Sequence, residues 1–335
     1  MPEDSKQLQK LISALTVFVL ALAAVWFLLV PSAQAITISP PTMEIALTAG
    51  QSTKTVVKLY NETPETVQLY TEARDFTAKG ETGQPAFDFD TASLGLSTWL
   101  QIETGPIVIE SGQRAEVPVT INVPADASPG GHYASLFFSS SPPQEGQVRI
   151  SSKVGTLILA QVAGDIFERG SIVEFGTAGN KSSFTRLPIT FFARFQNSGN
   201  IHERPTGTIV ITNMFGREVA KVDINVRKAA TLPDSIRKYE AVWEKSEVVG
   251  GGGNFFRNFW NEYTNERKNF GLGRYRASLS MTNETETIRV SGQTSFWIFP
   301  WHVLLVWSIV AIVVIILLII LIRKYNRWIL KRAQK

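Results

Sequence analysis

The chain has 335 residues, a formal net charge of +4 and no cysteine, which excludes disulfide cross-links and thiol chemistry. Six of the positive charges lie at 323–335, and residues 11–322 hold 25 Lys plus Arg against 27 Asp plus Glu. The basic balance belongs to the tail, which excludes a nucleic-acid footprint over the body of the chain.

The first element is an apolar run from Leu11 to Val30, preceded by Lys6 and Lys10 and followed by Pro31 and Ala33-Gln34-Ala35. A basic start, an apolar stretch, a helix breaker and a small-x-small site predict a secretory signal peptide over 1–35. The run is also long enough to span a bilayer, so an uncleaved anchor stays open.

Residues 36–164 read as short alternating strands. Thr53–Tyr60 and Glu65–Thr71 alternate with period two, and Trp99–Ile102 and Ile107–Ile109 follow. Arg114–Val123 is the clearest strand, with Val117, Val119, Ile121 and Val123 on one face. Pro129-Gly130-Gly131 opens Tyr133–Phe138, and Val148–Ala163 closes the set after a flexible loop at 139–147. Between them, residues 74–98 show little periodicity and read as a long loop. Its Asp75, Asp88 and Asp90 fit a solvated acidic loop better than a calcium site, whose ligand spacing they lack. About seven or eight strands without a helical pattern predict an immunoglobulin-like β-sandwich.

Residues 165–298 predict a second sandwich, with strands at Leu187–Gln196, Gly207–Thr212, Glu218–Val226, Arg274–Met281 and Glu286–Phe296. The last two pair through a turn at Asn283-Glu284. Inserted at 250–273 is an aromatic stripe, Phe255, Phe256, Phe259, Trp260 and Tyr263, at helical spacing. This predicts an amphipathic helix. It either rests in the headgroup layer or packs on its own sandwich.

Val303–Ile322 is uncharged and free of Pro and Gly, the length of a membrane span. The expected transmembrane segment is 299–322, with Trp297 and Trp301 at the lipid interface. Arg323, Lys324, Arg327, Lys331, Arg332 and Lys335 follow, so 323–335 is expected in the cytoplasm and the body of the chain outside.

The openings ITISPPTMEIALTAGQSTKTVVKLYNET and VPVTINVPADASPGGHYASLFF, the later NSGNIHERPTGTIVITNMFG and LPDSIRKYEAVW, and the final SFWIFPW together resemble the WxL-interacting proteins of Gram-positive cell surfaces. In that family the chain begins with paired strands and a Gly-Gln-Ser turn. The resemblance implies a peptidoglycan-binding first domain, a second domain that binds host or other extracellular protein, and a WxL-type surface partner.

Catalytic motifs are absent from the sequence. The three histidines, His132, His202 and His302, are dispersed, and no nucleophile elbow, zinc-binding His pair or phosphate loop occurs. No cofactor is expected. If the first domain holds a glycan, the aromatic candidates are Tyr60, Tyr70, Phe76, Phe87, Phe89 and Trp99, since sugars bind on ring faces. The expected protein is an all-β, non-enzymatic surface component that binds wall glycan or another surface protein. The alternative is a scaffolding subunit of a membrane-bound assembly without a glycan ligand.

Overall fold

The computed structural model describes residues 16, 35–87, 95–102, 105–141, 153–248, 250 and 252–333. Apart from residue 16, the segment 1–34 predicted to be the signal peptide lies outside them, as does Phe89.

The first sandwich contains ten strands. These are β1 Ile36–Ser39, β2 Thr42–Leu47, β3 Ser52–Asn61, β4 Val67–Lys79, β5 Gln84–Phe87, β6 Leu100–Ile102, β7 Ile107–Ile109, β8 Arg114–Asn122, β9 Gly130–Ser139 and β10 Lys153–Val162. One sheet runs β1-β3-β8-β6; the other runs β2-β10-β9-β4-β5, with β7 on β4. The alternation read in β8 buries Val117, Val119 and Ile121 against Leu136, Phe138 and Ile158 of the facing sheet. The first two strands do not pair with each other. β1 joins β3, and β2 crosses over to lie parallel to β10.

The long loop expected at 74–98 is mostly ordered structure. β4 continues to Lys79 and turns back into β5, with Phe76 opposite Phe87. Its charged residues hid the strand because one face of this stretch looks outward. Asp75 is a structural acceptor: its carboxylate takes the N–H groups of Gly95 and Ser97, each at 2.8 Å. Asp88 and Asp90 lie outside the described residues.

The second sandwich contains β11 Gly170–Thr177, β12 Ser183–Phe184, β13 Ile189–Asn197, β14 Thr206–Asn213, β15 Glu218–Ile224, β16 Ser235–Trp243, β17 Gly273–Thr282 and β18 Arg289–Ile298. Its sheets run β11-β13-β16 and β12-β18-β17-β14-β15. Phe191, Phe195, Trp243, Tyr275 and Phe296 form the centre of the core between them. The chain is thus two immunoglobulin-like β-sandwiches.

Two long α-helices follow among the described residues. The predicted insertion is helix α1, Phe255–Lys268, capped by Asn254, whose side chain accepts the Arg257 N–H. Helix α2 is Trp301–Ala333, longer than the predicted 299–322 span because it continues into the basic tail. Its stretch Trp301–Trp328 is long and apolar enough to cross a membrane.

Candidate functional sites: an interdomain cleft and the base of the second sandwich

The pleat of the first sandwich decides what faces the second. Ala134, Leu136 and Phe138 point into the core, so Tyr133, Ser135 and Phe137 of β9 point outward. On β10, Ile158 and Ala160 are core, so Leu157 and Leu159 point outward beside them. This outer face carries a chain of rings. Phe87 lies 4.9 Å from Phe137 and 5.8 Å from Phe76, Phe76 lies 5.9 Å from Tyr133, and Tyr133 lies 5.9 Å from His202 of the second sandwich.

Of the five glycan candidates among the described residues, the structure brings Phe76 and Phe87 together. Phe76 is buried. Tyr60 lies under the Arg114 guanidinium at 5.3 Å, and Trp99 packs on His132 at 4.6 Å. Tyr70 pairs with Ser139 in the β4–β9 ladder.

The outer face forms the floor of a cleft of about 320 Å³ between the sandwiches, with Phe76, Ala78, Leu157 and Leu159 as its apolar floor. Its roof is the segment from Arg227 to Arg237, together with Arg204. Asn225 staples this segment. It has a positive φ of 54°, its amide donates to the carbonyls of Pro205 and Ala229, and its Oδ1 accepts the Ala229 N–H at 2.8 Å. Gly83 takes a φ of 73°, a conformation that favours glycine, and the Arg237 guanidinium passes against it. Arg204 bonds to Glu44 and to the Lys228 carbonyl, and Lys228 reaches Glu284 at 2.9 Å. The cleft thus joins an apolar sheet face to a cationic rim, which suits a ligand that is apolar along its length and carries acidic groups.

A second cavity of about 290 Å³ shares Glu44, Leu159 and Arg204 with the first. Glu203 is buried at its edge, and burial pushes its carboxyl up to about 7, with the Glu168 carboxylate adding to the effect and an Asn283 hydrogen bond opposing it. Burial also holds His202 below the usual histidine range and pushes the Tyr133 phenol up. The sequence marked the 201–204 segment and the Asn283-Glu284 turn separately but gave no sign that they meet β2 and β10 here.

The two sandwiches are tied on both sides of the cleft. Arg194 of β13 forks onto Glu81 of the β4–β5 turn at 2.9 and 3.1 Å and also reaches Glu174 at 3.1 Å. The Lys238 N–H donates to the Glu81 carbonyl at 2.9 Å, and the Gly131 N–H to the Asn200 carbonyl at 2.8 Å.

The opposite end of the second sandwich receives α2. Only Phe299 and Pro300 separate β18 from it. A helix start leaves its first N–H groups without intrahelical partners. Here α1 supplies an acceptor: one Glu266 carboxylate oxygen takes the N–H groups of His302 at 2.9 Å and Val303 at 3.1 Å. The other lies 2.7 Å from His302 Nδ1. Glu266 is wholly buried, with Asn265 and Asn269 beside it. The buried face of α1 is therefore polar.

The aromatic stripe of α1 lies elsewhere. Phe255 is 77% exposed, Phe256 72% and Trp260 53%. Phe259 is half-buried, 5.2 Å from the His302 ring and 6.2 Å from Trp301, and Tyr263 packs on Trp260 at 5.4 Å. Trp297 and Trp301 are exposed on the same end.

No known protein family matches the sequence, and no curated protein matches it. Solved structures with related architecture include the E. coli chaperone DraB, at 10% identity over 79% of this chain and 97% of that one, with a TM-score of 0.33. The Pseudomonas aeruginosa CupB2 chaperone gives 7% identity over 77% and 97%, with a TM-score of 0.32. A PapD-like domain of human CEP192 gives 12% identity over 39% and 86%, with a TM-score of 0.27. Likeness at this level assigns neither activity nor partner to this chain.

Proposed function

We propose that the protein is a non-enzymatic, single-pass membrane protein of the cell surface that binds a wall glycan or an extracellular protein through the first sandwich and the cleft beside it. The observation that carries this reading is the cleft, an apolar sheet face under a rim of Arg204, Arg227, Lys228 and Arg237. The apolar stretch Trp301–Trp328 supports anchoring by α2. The run of cations from Arg323 onward supports a cytoplasmic C-terminus, with both sandwiches outside.

The resemblance to WxL-interacting proteins adds peptidoglycan as the glycan and a WxL-type protein as the partner. The alternative, a scaffolding subunit without a glycan ligand, keeps the same topology and leaves the cleft to another subunit of the assembly.

The test uses the full chain in detergent micelles, incubated with purified cell wall and with a purified WxL-type surface protein. Retention on either, reduced several-fold when Arg227→Glu and Lys228→Glu are combined, is the expected result. Retention no greater than that of an unrelated membrane-anchored sandwich, on both ligands, sinks the binding reading and leaves the scaffold.

A further inference from the structure

The β14–β15 connection turns at Met214–Phe215, at the end of the NSGNIHERPTGTIVITNMFG segment. Phe215 is 83% exposed and Met214 55%. The turn is nevertheless rigid. The Asn213 side chain accepts the N–H groups of Phe215 at 3.0 Å and Arg217 at 3.1 Å, and Gly216 takes a φ of 76° that closes it. A fixed turn that holds a phenylalanine in the open is a presented group.

The sheet register places this tip. Asn213 pairs with Tyr275, so Met214 and Phe215 run level with Arg274 and Gly273. Gly273 in turn pairs with Ile298, two residues before Pro300 and the start of α2. Met214 lies directly over Gly273, where a Cβ would come within 2.5 Å of its terminal methyl carbon. The tip therefore stands at the end of the sheet from which the apolar helix departs. Glu266 and Phe259 bind α1 to the first turn of that helix, which places Phe255 and Phe256 at the same end. Arg217 and Arg274 are exposed among these apolar groups.

We propose that this end of the second sandwich is a lipid-contacting collar, in which the Met214–Phe215 tip enters the headgroup layer beside α2 on the side of the helix away from its own core. The occupant is the leaflet that α2 enters, because the exposed tip lies at the same end of the sheet as exposed Trp297, Phe299 and Trp301, where the apolar span starts. Aromatic side chains next to cations fit that layer, where a ring meets acyl chain and a guanidinium meets phosphate. The proposal rests on the reading of α2 as a membrane anchor.

The chain has no cysteine, so one introduced thiol takes one spin label. Phe215→Cys, Ile315→Cys within α2, and Val226→Cys, exposed at the cleft end of β15, are each made in the full chain and reconstituted in phosphatidylcholine–phosphatidylglycerol liposomes. Relaxation by oxygen, which partitions into lipid, is compared with relaxation by a water-soluble nickel chelate. The expected result is an oxygen-to-nickel ratio at position 215 several-fold above that at 226 and below that at 315. A ratio at 215 equal to that at 226, with 315 in lipid, overturns the collar and leaves the anchor intact. A water-like ratio at 315 overturns the anchor, and the collar with it. Dipolar broadening between labels at 215 shows that a second copy covers the tip, which also overturns the proposal.

Discussion

At the residue scale, one buried carboxylate controls the junction between the second sandwich and α2. Glu266 satisfies two helix N–H groups and one imidazole nitrogen, and its charge lies at the positive end of the helix dipole. Glu266→Ala leaves buried donors without acceptors and is expected to destabilise the base by about 2 kcal/mol or more. Faster amide exchange at His302 and Val303 reads this directly, and Glu266→Gln, which keeps one acceptor oxygen, restores part of it. Unchanged exchange in the alanine variant would mean that Glu266 does not hold the helix start.

Glu203 gives a prediction with a definite sign. Burial pushes its folded-state carboxyl up to about 7, above the ordinary carboxylate value of about 4.5. Between those values the folded chain holds a proton that the unfolded chain releases, so this group lowers stability as pH rises through the window. His202, held below 6.5 by burial, acts in the opposite sense, with its contribution lost as pH falls. Glu203→Gln isolates the first effect. Its gain in melting temperature over the parent should be near zero at about pH 4 and should grow until about pH 7. A gain independent of pH would place the carboxyl in ordinary surroundings.

At the element scale, the parts legible in the sequence were those whose alternation or periodicity meets one solvent boundary. β8 has core on one side and water on the other, and its valines and Ile121 alternate cleanly. α1 was legible from its aromatic spacing, and the β17–β18 pairing from its turn at Asn283. β16 escaped notice because Arg237, Lys238 and Glu240 dilute it, although Tyr239, Ala241 and Trp243 are core. β11 carries a bulge between Ile172 and Glu174 that breaks its period. The inner side of α1 was hidden for a different reason. Periodicity identifies the face that avoids water, and here the face against protein is Asn265, Glu266 and Asn269.

At the scale of the whole molecule, the cleft could not be read from the sequence at all. It joins Thr42 and Phe76 to Leu157 and to the 227–237 roof, and only the relative placement of two sandwiches brings them together. That placement depends on few groups. Arg194–Glu81 and Arg204–Glu44 are ion pairs between the sandwiches, and the Arg194 guanidinium holds the Glu81 carboxyl below the usual carboxylate range. Arg194→Ala is expected to cost about 1 kcal/mol or less in stability, since the pair is partly solvated. Small-angle X-ray scattering on the same variant should nevertheless show a larger radius of gyration as the sandwiches hinge. An unchanged radius would assign the angle to the remaining links, Arg204–Glu44 and the backbone bonds at Gly131 and Lys238.

The short passage from β18 to α2 has a consequence for reach. A binding module on a long flexible tether samples a large volume and meets ligands at varied distances. With two residues between strand and helix, and Glu266 clamping the joint, this chain has no such tether. A ten-residue strand rises roughly 33 Å, and β17 and β18 each have ten residues between the helix joint and the cleft end. The cleft is carried on a stiff pillar of about that height, so it searches a thin layer parallel to the leaflet. Lateral diffusion, with the ligand arriving at one altitude, sets which partners it can meet.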